Sequence, residues 1–251
     1  MEITEAQYER IKDALPVQRG NVRLSNLQVL NAVLYVAEQG CKWRGLPKRF
    51  GRWHTIYTDE SLVQERRSRS GIREVAVGAD RADQDRGVRA RLDLDQGASG
   101  RDGRSKKNGP QAIGKSRGGW NTKVHLVAAN ARTAITFALS PGHAHDAPEG
   151  RALLAELGPM PEGLPLLMDR AYEGDETRQL VLSLGMIPVV PPKSNRIEPW
   201  EYDRALYKKR NEIERLFRRL KGFRRIFSRF EKLDVLFLGF LNFALIIEAL
   251  R

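Results

Sequence analysis

The apolar and polar positions predict a small helical region at the start of the chain. Thr4 can cap a first helix, and Ser25 can cap a second, whose apolar residues recur at steps of three and four until Gly40. A tight turn is predicted at 45–47, before a third helix begins. Two short helices around such a turn predict an all-α, helix-turn-helix-like domain over residues 1–58; a plain three-helix core is the alternative.

Beyond residue 106 the pattern changes to apolar runs of strand length. TKVHLVAA and AITFALS predict two strands joined by a hairpin turn at 130–132. A helix is predicted from Asp146, then a short buried strand with Asp169 just after it, another helix, and the strand MIPVV. This order of strands and helices predicts an α/β domain with a mixed sheet.

The stretch YKKRNEIERLFRRLK, residues 207–221, predicts an amphipathic basic helix. Tyr207, Arg210, Glu214 and Lys221 recur at steps of three, four and seven, which places them along one side of a helix. A carboxylate among several cations suits a site where a metal ion lies beside phosphates. The alternative is a solvated basic helix in which the glutamate has no special role.

The charge of the chain indicates a polyanionic partner. The formal net charge is +12, so nucleic acid is the first expectation and an acidic membrane the second. The single cysteine, Cys41, excludes an internal disulfide and a cysteine-based zinc site. The charged N-terminus lacks a signal-peptide pattern, and a cytoplasmic, nucleoid-associated bacterial protein is expected. The apolar run near the C-terminus contains Asp234, Asn242 and Glu248, which favours a buried helix over a membrane span.

A second group of cations lies in the predicted N-terminal domain, among the aromatic residues of CKWRGLPKRFGRW. Lysine and arginine side chains clustered in this way are typical of a surface that contacts DNA phosphates. The candidate DNA-binding residues there are Lys42, Arg44, Lys48, Arg49 and Arg52. The alternative is that Trp43 and Trp53 only fill a helical core.

Several motifs resemble one known family. Y-x2-R-x3-E-x6-K ends the catalytic domain of many bacterial insertion-sequence transposases, and it is met here from Tyr207 to Lys221. Four further motifs precede it in the family's order: QAIGKSRGGWNTKVHLV, SPGHAHD, LLMDRAYEGD and IPVVPPKSNR. The chain therefore resembles the DDE transposases of the insertion-sequence-five (IS-five) family.

The resemblance implies a ribonuclease H-like fold and a mechanism. Asp169 and Glu214 match the second and third catalytic carboxylates, which would hold two Mg²⁺ ions, with Mn²⁺ as the substitute. Tyr207, Arg210 and Lys221 would hold the DNA end. The implied partners are the terminal inverted repeats of the element, target DNA and further copies of the chain, without a membrane. A non-enzymatic DNA-binding protein and a nuclease of the same fold are the alternatives.

Residues 59–105 break the pattern. They contain ten arginines, no lysine and no aromatic residue, although the rest of the chain uses lysine freely. A disordered charged linker is one interpretation. The preferred interpretation is that this stretch is translated out of frame. Codons that permit the observed residues can be chosen so that a shift of the reading frame by one nucleotide yields RMSRWSKSGVLDRVFE at one end of the stretch. The same shift yields DSTSTRAHPDGTGALK at the other end. Both are similar to family sequences, and the shift closes at Lys106–Lys107.

The shift has a chemical consequence. The family's first catalytic aspartate falls at the position of Arg91. Asp93 and Asp95 are the nearby in-frame alternatives, but the sequence around them does not match the family. The expected catalytic domain covers 106–251 with its first strand lost, and the chain is expected to lack strand-transfer activity.

Overall fold

A computed structural model describes residues 2–15, 23–58, 89–92 and 109–251. The chain divides into two compact units: the first comprises Met1–Val75 with Arg219–Arg251, and the second is Ala76–Arg218. Most of the anomalous stretch, including Asp93 and Asp95, lies outside the described residues. The domain boundaries at 58 and 106 therefore stay predictions.

The first unit is helical, as the apolar pattern predicts. Helix α1 is Glu5–Glu9 and α2 is Asn26–Gln39, each opened by a capping box, at Thr4 and at Ser25 respectively. Gly40 ends α2 with φ 62°, a left-handed conformation that favours glycine. Helix α3, Trp53–Thr58, follows.

The connection between α2 and α3 is longer than a helix-turn-helix turn. It contains two 3₁₀ turns, Trp43–Gly45 and Lys48–Phe50, in place of the single tight turn predicted at 45–47. Pro47 lacks a backbone N–H, and Gly51 has φ 98°, so neither supports a continuous helix here. The helical prediction is confirmed for this region, in which these two turns join the second helix to the third.

Two C-terminal helices belong to the same unit. They are α8, Arg224–Phe227, and α9, Asp234–Leu250. Both contact α2, and Gln7 donates to the carbonyl of Leu250 at 3.0 Å. The buried side chains of α9 agree with the predicted buried terminal helix. Within the described residues, no helix has the length and apolarity that a membrane crossing requires.

The second unit contains a six-stranded mixed sheet. Strand β3 pairs antiparallel with β1, β2 and β4, whereas β5 pairs parallel with β1 and with β6. The predicted hairpin is confirmed: Asn130 Oδ1 accepts hydrogen bonds from the N–H groups of Arg132 and Thr133 at its turn. The strands are β1 Arg89–Leu92, β2 Gly114–Ser116, β3 Gly119–Ala128, β4 Ala134–Pro141, β5 Leu164–Leu167 and β6 Met186–Val189.

Strand β1 occupies the centre of this sheet, between β3 and β5. The sequence predicted no strand at this position, because the stretch lacks a strand-like apolar pattern. Its register pairs Arg91 with Leu126 on β3 and Arg89 with Leu167 on β5. Arg91 on one strand and Asp169 after the other each follow this last pair by two residues.

Helices pack on the sheet as the α/β prediction requires. Helix α4, Asp146–Leu157, contacts β3 and β4, and α5, Asp175–Ser183, contacts β6 and α4. Their apolar side chains form the core of the unit with the central strands. That core contains Val127, Leu153, Leu154, Leu166, Met168, Tyr172, Val181, Leu184, Met186 and Val190.

The basic stretch 207–221 is not one continuous helix. It consists of the end of α6, Arg204–Tyr207, a 3₁₀ turn at Lys208–Arg210, and α7, Asn211–Leu220. The predicted amphipathicity is present, since the apolar side chains of α7 are buried. Lys221 follows the last helical residue, so it does not continue the helical row of Tyr207, Arg210 and Glu214.

Candidate active site

Asp169 lies where the sequence predicted it, two residues beyond β5. Its Oδ1 accepts a hydrogen bond from the backbone N–H of Arg170 at 2.8 Å, so the carboxylate caps the 3₁₀ turn Arg170–Tyr172. Its side chain is 26% exposed. The carboxyl end of a buried strand in an α/β fold is a usual place for catalytic groups. Capping and catalysis are compatible here, because a carboxylate offers further lone pairs.

Glu214 lies in the first turn of α7, and Arg210 joins it to Asp169. Arg210 Nη2 donates to Glu214 Oε1 at 3.2 Å, and Arg210 Nη1 lies 3.6 Å from Asp169 Oδ1. The fold therefore brings Asp169 to Arg210 and Glu214, which lie more than forty positions later in the sequence. Two carboxylates face one cation, whose side chain is only 16% exposed.

Tyr207 places an aromatic ring beside the group formed by Asp169, Arg210 and Glu214. The guanidinium carbon of Arg210 lies 5.5 Å from the centre of the Tyr207 ring, within cation–π range. Tyr202 contacts the same ring edge-on at 5.6 Å. Burial raises the pKa of the Tyr207 hydroxyl, against the opposing charge of Arg210. Tyr207 therefore stays neutral at physiological pH and can donate a hydrogen bond.

The third carboxylate of the resemblance is not found in the described part of the chain. Arg91 lies on β1, two residues beyond Arg89, which pairs with Leu167 on the neighbouring strand β5. Asp93 and Asp95 lie outside the described residues. Across residues 2–15, 23–58, 89–92 and 109–251, no three acidic, histidine or cysteine side chains group in a way that could hold a metal ion.

The residues present still fit a divalent cation. Asp169 and Glu214 offer hard oxygen ligands, and both already lie near one cationic group, the Arg210 guanidinium. Mg²⁺ is commonly held by one or two carboxylates, with water and substrate phosphates completing its octahedron. Carboxylate oxygens, without cysteine or histidine, favour Mg²⁺ or Mn²⁺ over zinc.

A buried polar chain supports the turn that carries Asp169, and the sequence analysis did not single it out. His125 on β3 lies 2.7 Å from Ser140 Oγ through Nε2 and 3.5 Å from the Tyr172 hydroxyl through Nδ1. Burial lowers the pKa of His125 to about 4. The neutral ring can donate at one nitrogen and accept at the other. The alternating pattern of TKVHLVAA, with histidine at a core position, was the available signal.

The other predicted DNA-binding residues belong to the first unit. Lys221 and the five cations between α2 and α3 are all exposed. Arg44 lies over the Trp53 ring at 5.6 Å and Arg49 over Phe50 at 4.7 Å, so aromatic rings hold these two guanidinium groups. The remaining members of the cluster are Lys42, Lys48 and Arg52.

Two family models match the chain. One, described as "Putative transposase of IS4/5 family", matches residues 3–68. The other, described as "Transposase DDE domain", matches residues 95–247. Residues 69–94, which include the position of Arg91, lie between the two matched ranges. The second match alone covers more than half of the chain.

Individual proteins show the same likeness. The chain is 33% identical over 127 residues to a Brucella ovis protein described as "Putative transposase for insertion sequence element IS6501". This alignment covers 49% of the chain and 93% of that relative. A solved structure, the Mos1 transposase paired-end complex with the left transposon end, covers 85% of the chain at 11% identity. The alignment covers 83% of that structure's chain, with a TM-score of 0.29.

Proposed function

Because the chain belongs to the insertion-sequence transposases with a DDE domain, we propose that it recognises the ends of its own element and that its second unit carries the site for cutting and joining DNA. The family's activity is polynucleotidyl transfer. The observation that carries the proposal is the convergence of Asp169 and Glu214 on Arg210, at 3.6 and 3.2 Å.

The two carboxylates are proposed as metal ligands. In the family's chemistry, two Mg²⁺ ions activate a water or a DNA 3′-hydroxyl and stabilise the leaving oxygen of the phosphodiester. In this chain Asp169, fixed at the end of β5, and Glu214, fixed in the first turn of α7, would each give carboxylate oxygens. The hydrogen bond from Arg170 N–H orients one of them.

The cations are proposed as DNA contacts. Arg210 can reach a phosphate from beside the carboxylates, Tyr207 can donate its hydroxyl, and Lys221 adds charge. The exposed cations of the first unit would bind phosphates of the terminal repeat. Each neutralised phosphate releases condensed counterions, so the affinity should fall steeply as salt rises.

The chain as written is proposed to bind DNA without cutting it. Arg91 takes the position of the family's first catalytic aspartate, and an arginine there adds positive charge where a metal ligand is needed. Two carboxylates then remain of the family's three. A chain read in the shifted frame over residues 59–105 regains the family's aspartate and should regain activity.

The experiment is Mg²⁺-dependent cleavage of the element's own ends by the frame-restored chain, with Asp169→Asn and Glu214→Gln variants. We expect each variant to lose more than about 100-fold in rate, because a site that loses a metal ligand loses the metal's electrostatic contribution. Asp175→Asn is the matched control, since that carboxylate is in the same unit and 59% exposed. Unchanged rates for Asp169→Asn or Glu214→Gln would overturn the assignment.

A second candidate function, a DNA-binding protein without enzymatic activity, is favoured by one observation. No third carboxylate accompanies Asp169 and Glu214 among the residues that the structure describes. Under this candidate the frame-restored chain would bind the element's ends and cut none of them. Replacing Asp169 or Glu214 by its amide would then leave DNA affinity unchanged or raise it.

A further inference from the structure

We propose that Arg210 is a built-in counter-ion that holds Asp169 and Glu214 in the absence of DNA and moves to a DNA phosphate when the site is loaded. Binding of a divalent cation and of DNA would then be coupled through one side chain. This inference rests on the proposed function, because it takes the two carboxylates as the metal ligands.

Arg210 contacts both of the carboxylates that are proposed to hold the metal ion. Its two terminal nitrogens divide between the carboxylates, with Nη2 at 3.2 Å from Glu214 and Nη1 at 3.6 Å from Asp169. A guanidinium and a divalent cation cannot both lie within reach of the same carboxylate oxygens without strong repulsion. Metal binding therefore competes directly with the ion pairs of Arg210.

Arg210 cannot simply leave these partners. Its side chain is 16% exposed, and a poorly solvated cation that loses its anions pays a large desolvation penalty. A second anion must receive it. A phosphate group suits the planar fork of arginine, which binds two oxygens at once.

One terminal nitrogen of Arg210 can still donate a hydrogen bond to a further acceptor. Nη1 is buried, and in the part of the chain that the structure describes no acceptor lies within hydrogen-bonding range of it. Its contact with Asp169 at 3.6 Å is an ion pair that is too long for a hydrogen bond. Tyr207 supports the guanidinium without offering an anion. A phosphate oxygen would satisfy Nη1 and draw Arg210 away from both carboxylates.

The coupling must be reciprocal. If DNA raises the affinity of the site for the cation, the cation raises the affinity of the chain for DNA by the same factor. Arg210 would offset part of the negative charge of the carboxylates and keep the site poor in metal until a phosphate is present. Removal of Arg210 should therefore raise metal affinity without DNA and abolish the effect of DNA on it.

The test is a Mn²⁺ titration of the full chain as written, followed by the electron paramagnetic resonance signal of the free ion. We expect Arg210→Gln to bind Mn²⁺ about tenfold more tightly than the unaltered chain, within the usual range of coupling between sites. Arg170→Gln is the matched control, because it removes the same charge from an exposed side chain next to Asp169. Its affinity should change much less. Arg210→Lys keeps the charge but loses the planar fork of the guanidinium. Its affinity for Mn²⁺ should lie between those of the unaltered chain and of Arg210→Gln.

A second set of titrations adds a short duplex DNA. The unaltered chain should bind Mn²⁺ more tightly with DNA than without it, and Arg210→Gln should show no such difference. Asp169→Asn identifies the site, since Mn²⁺ binding there should be lost. Near-ultraviolet circular dichroism of each variant reports whether the fold is kept.

The outcomes separate the inference from the proposed function. If Asp169→Asn abolishes Mn²⁺ binding but Arg210→Gln binds no more tightly than the unaltered chain, the counter-ion role is wrong and the metal site stands. If Arg170→Gln raises the affinity as much as Arg210→Gln, the effect is general charge and the counter-ion role is also wrong. If Asp169→Asn changes nothing in any variant, the proposed metal site fails, and the inference fails with it.

Discussion

At the scale of single residues, the C-terminal basic run divides into exposed and buried cations, which its composition does not reveal. Arg225 is buried, pairs with Glu231 through Nε at 2.6 Å, and donates to the carbonyl of Cys41 at 2.9 Å. Arg229 is buried and pairs with Asp234. These guanidinium groups lie against the aromatic rings of the first unit. They hold that unit together and are unavailable to DNA phosphates.

A pair of substitutions in α8 tests this division. Arg225→Ala should destabilise the chain by about 3–5 kcal/mol, because it leaves the buried Glu231 without its counter-ion. Arg224→Ala, at the exposed neighbouring position, should change stability by no more than about 0.5 kcal/mol. Urea unfolding followed by fluorescence measures both. Equal losses would show that Arg225 has no special structural role.

His125 gives the fold a pH dependence whose sign follows from its pKa. Burial holds the pKa of His125 at about 4, below its ordinary value of 6.5. As pH falls between these values the unfolded chain gains a proton that the folded chain does not. Stability should therefore fall by about 3 kcal/mol across this window and become independent of His125 below it.

The measurement is the free energy of unfolding at several pH values for the unaltered chain and for His125→Gln. Lys123 and Asp146, which pair at 2.7 Å beside this histidine, remain in both proteins, so the difference isolates His125. The free energy of unfolding of the His125→Gln variant should depend less steeply on pH between 4 and 6.5. Parallel curves for the two proteins would contradict the buried neutral histidine.

At the scale of helices and strands, the sequence predicted the elements whose signal lies within a few neighbouring residues. The hairpin of β3 and β4, the strand before Asp169 and the caps of α1 and α2 follow from alternation, short apolar runs and Ser or Thr before a helix. The 3₁₀ turn at Lys208–Arg210 could not be predicted in this way. The basic stretch keeps a helical period across it, and only the tertiary contacts of Arg210 and Tyr207 distinguish the turn from the helix.

The candidate site likewise combines residues that the sequence predicts with a contact that only the fold shows. Asp169, Glu214 and Arg210 could all be chosen from motif and spacing, but the contact between Arg210 and Asp169 required the fold, since these two residues are far apart in sequence. The central strand β1 was missed because it pairs on both sides with distant strands. Such a strand needs no alternating pattern of its own, as its neighbours satisfy its backbone.

The register of β1 leads to a prediction about metal binding. Arg89 pairs with Leu167, and Arg91 and Asp169 each follow that pair by two residues. Arg91→Asp should therefore tighten Mn²⁺ binding by about tenfold or more relative to the unaltered chain. Arg89→Asp makes the same charge change two residues earlier, level with Leu167, and should have a smaller effect. Titration of Mn²⁺ into each protein measures the difference. Equal affinities would mean that position 91 does not border the site.

At the scale of the whole molecule, the chain combines a family's architecture with a stretch that departs from it. The family models match residues 3–68 and 95–247, on either side of Arg91. A net charge of +12 and the exposed cations of the first unit suit a protein that binds DNA. We therefore propose that this chain keeps DNA binding and lacks strand transfer, two properties that an active transposase joins.

The most direct test compares Mg²⁺-dependent cleavage of the element's own ends by this chain and by its frame-restored version, under identical conditions. The account predicts that both bind the ends and that only the restored chain cuts them. Cleavage by the chain as written would contradict it, because a carboxylate such as Asp93 or Asp95 would then complete the site and Arg91 would not mark a missing ligand.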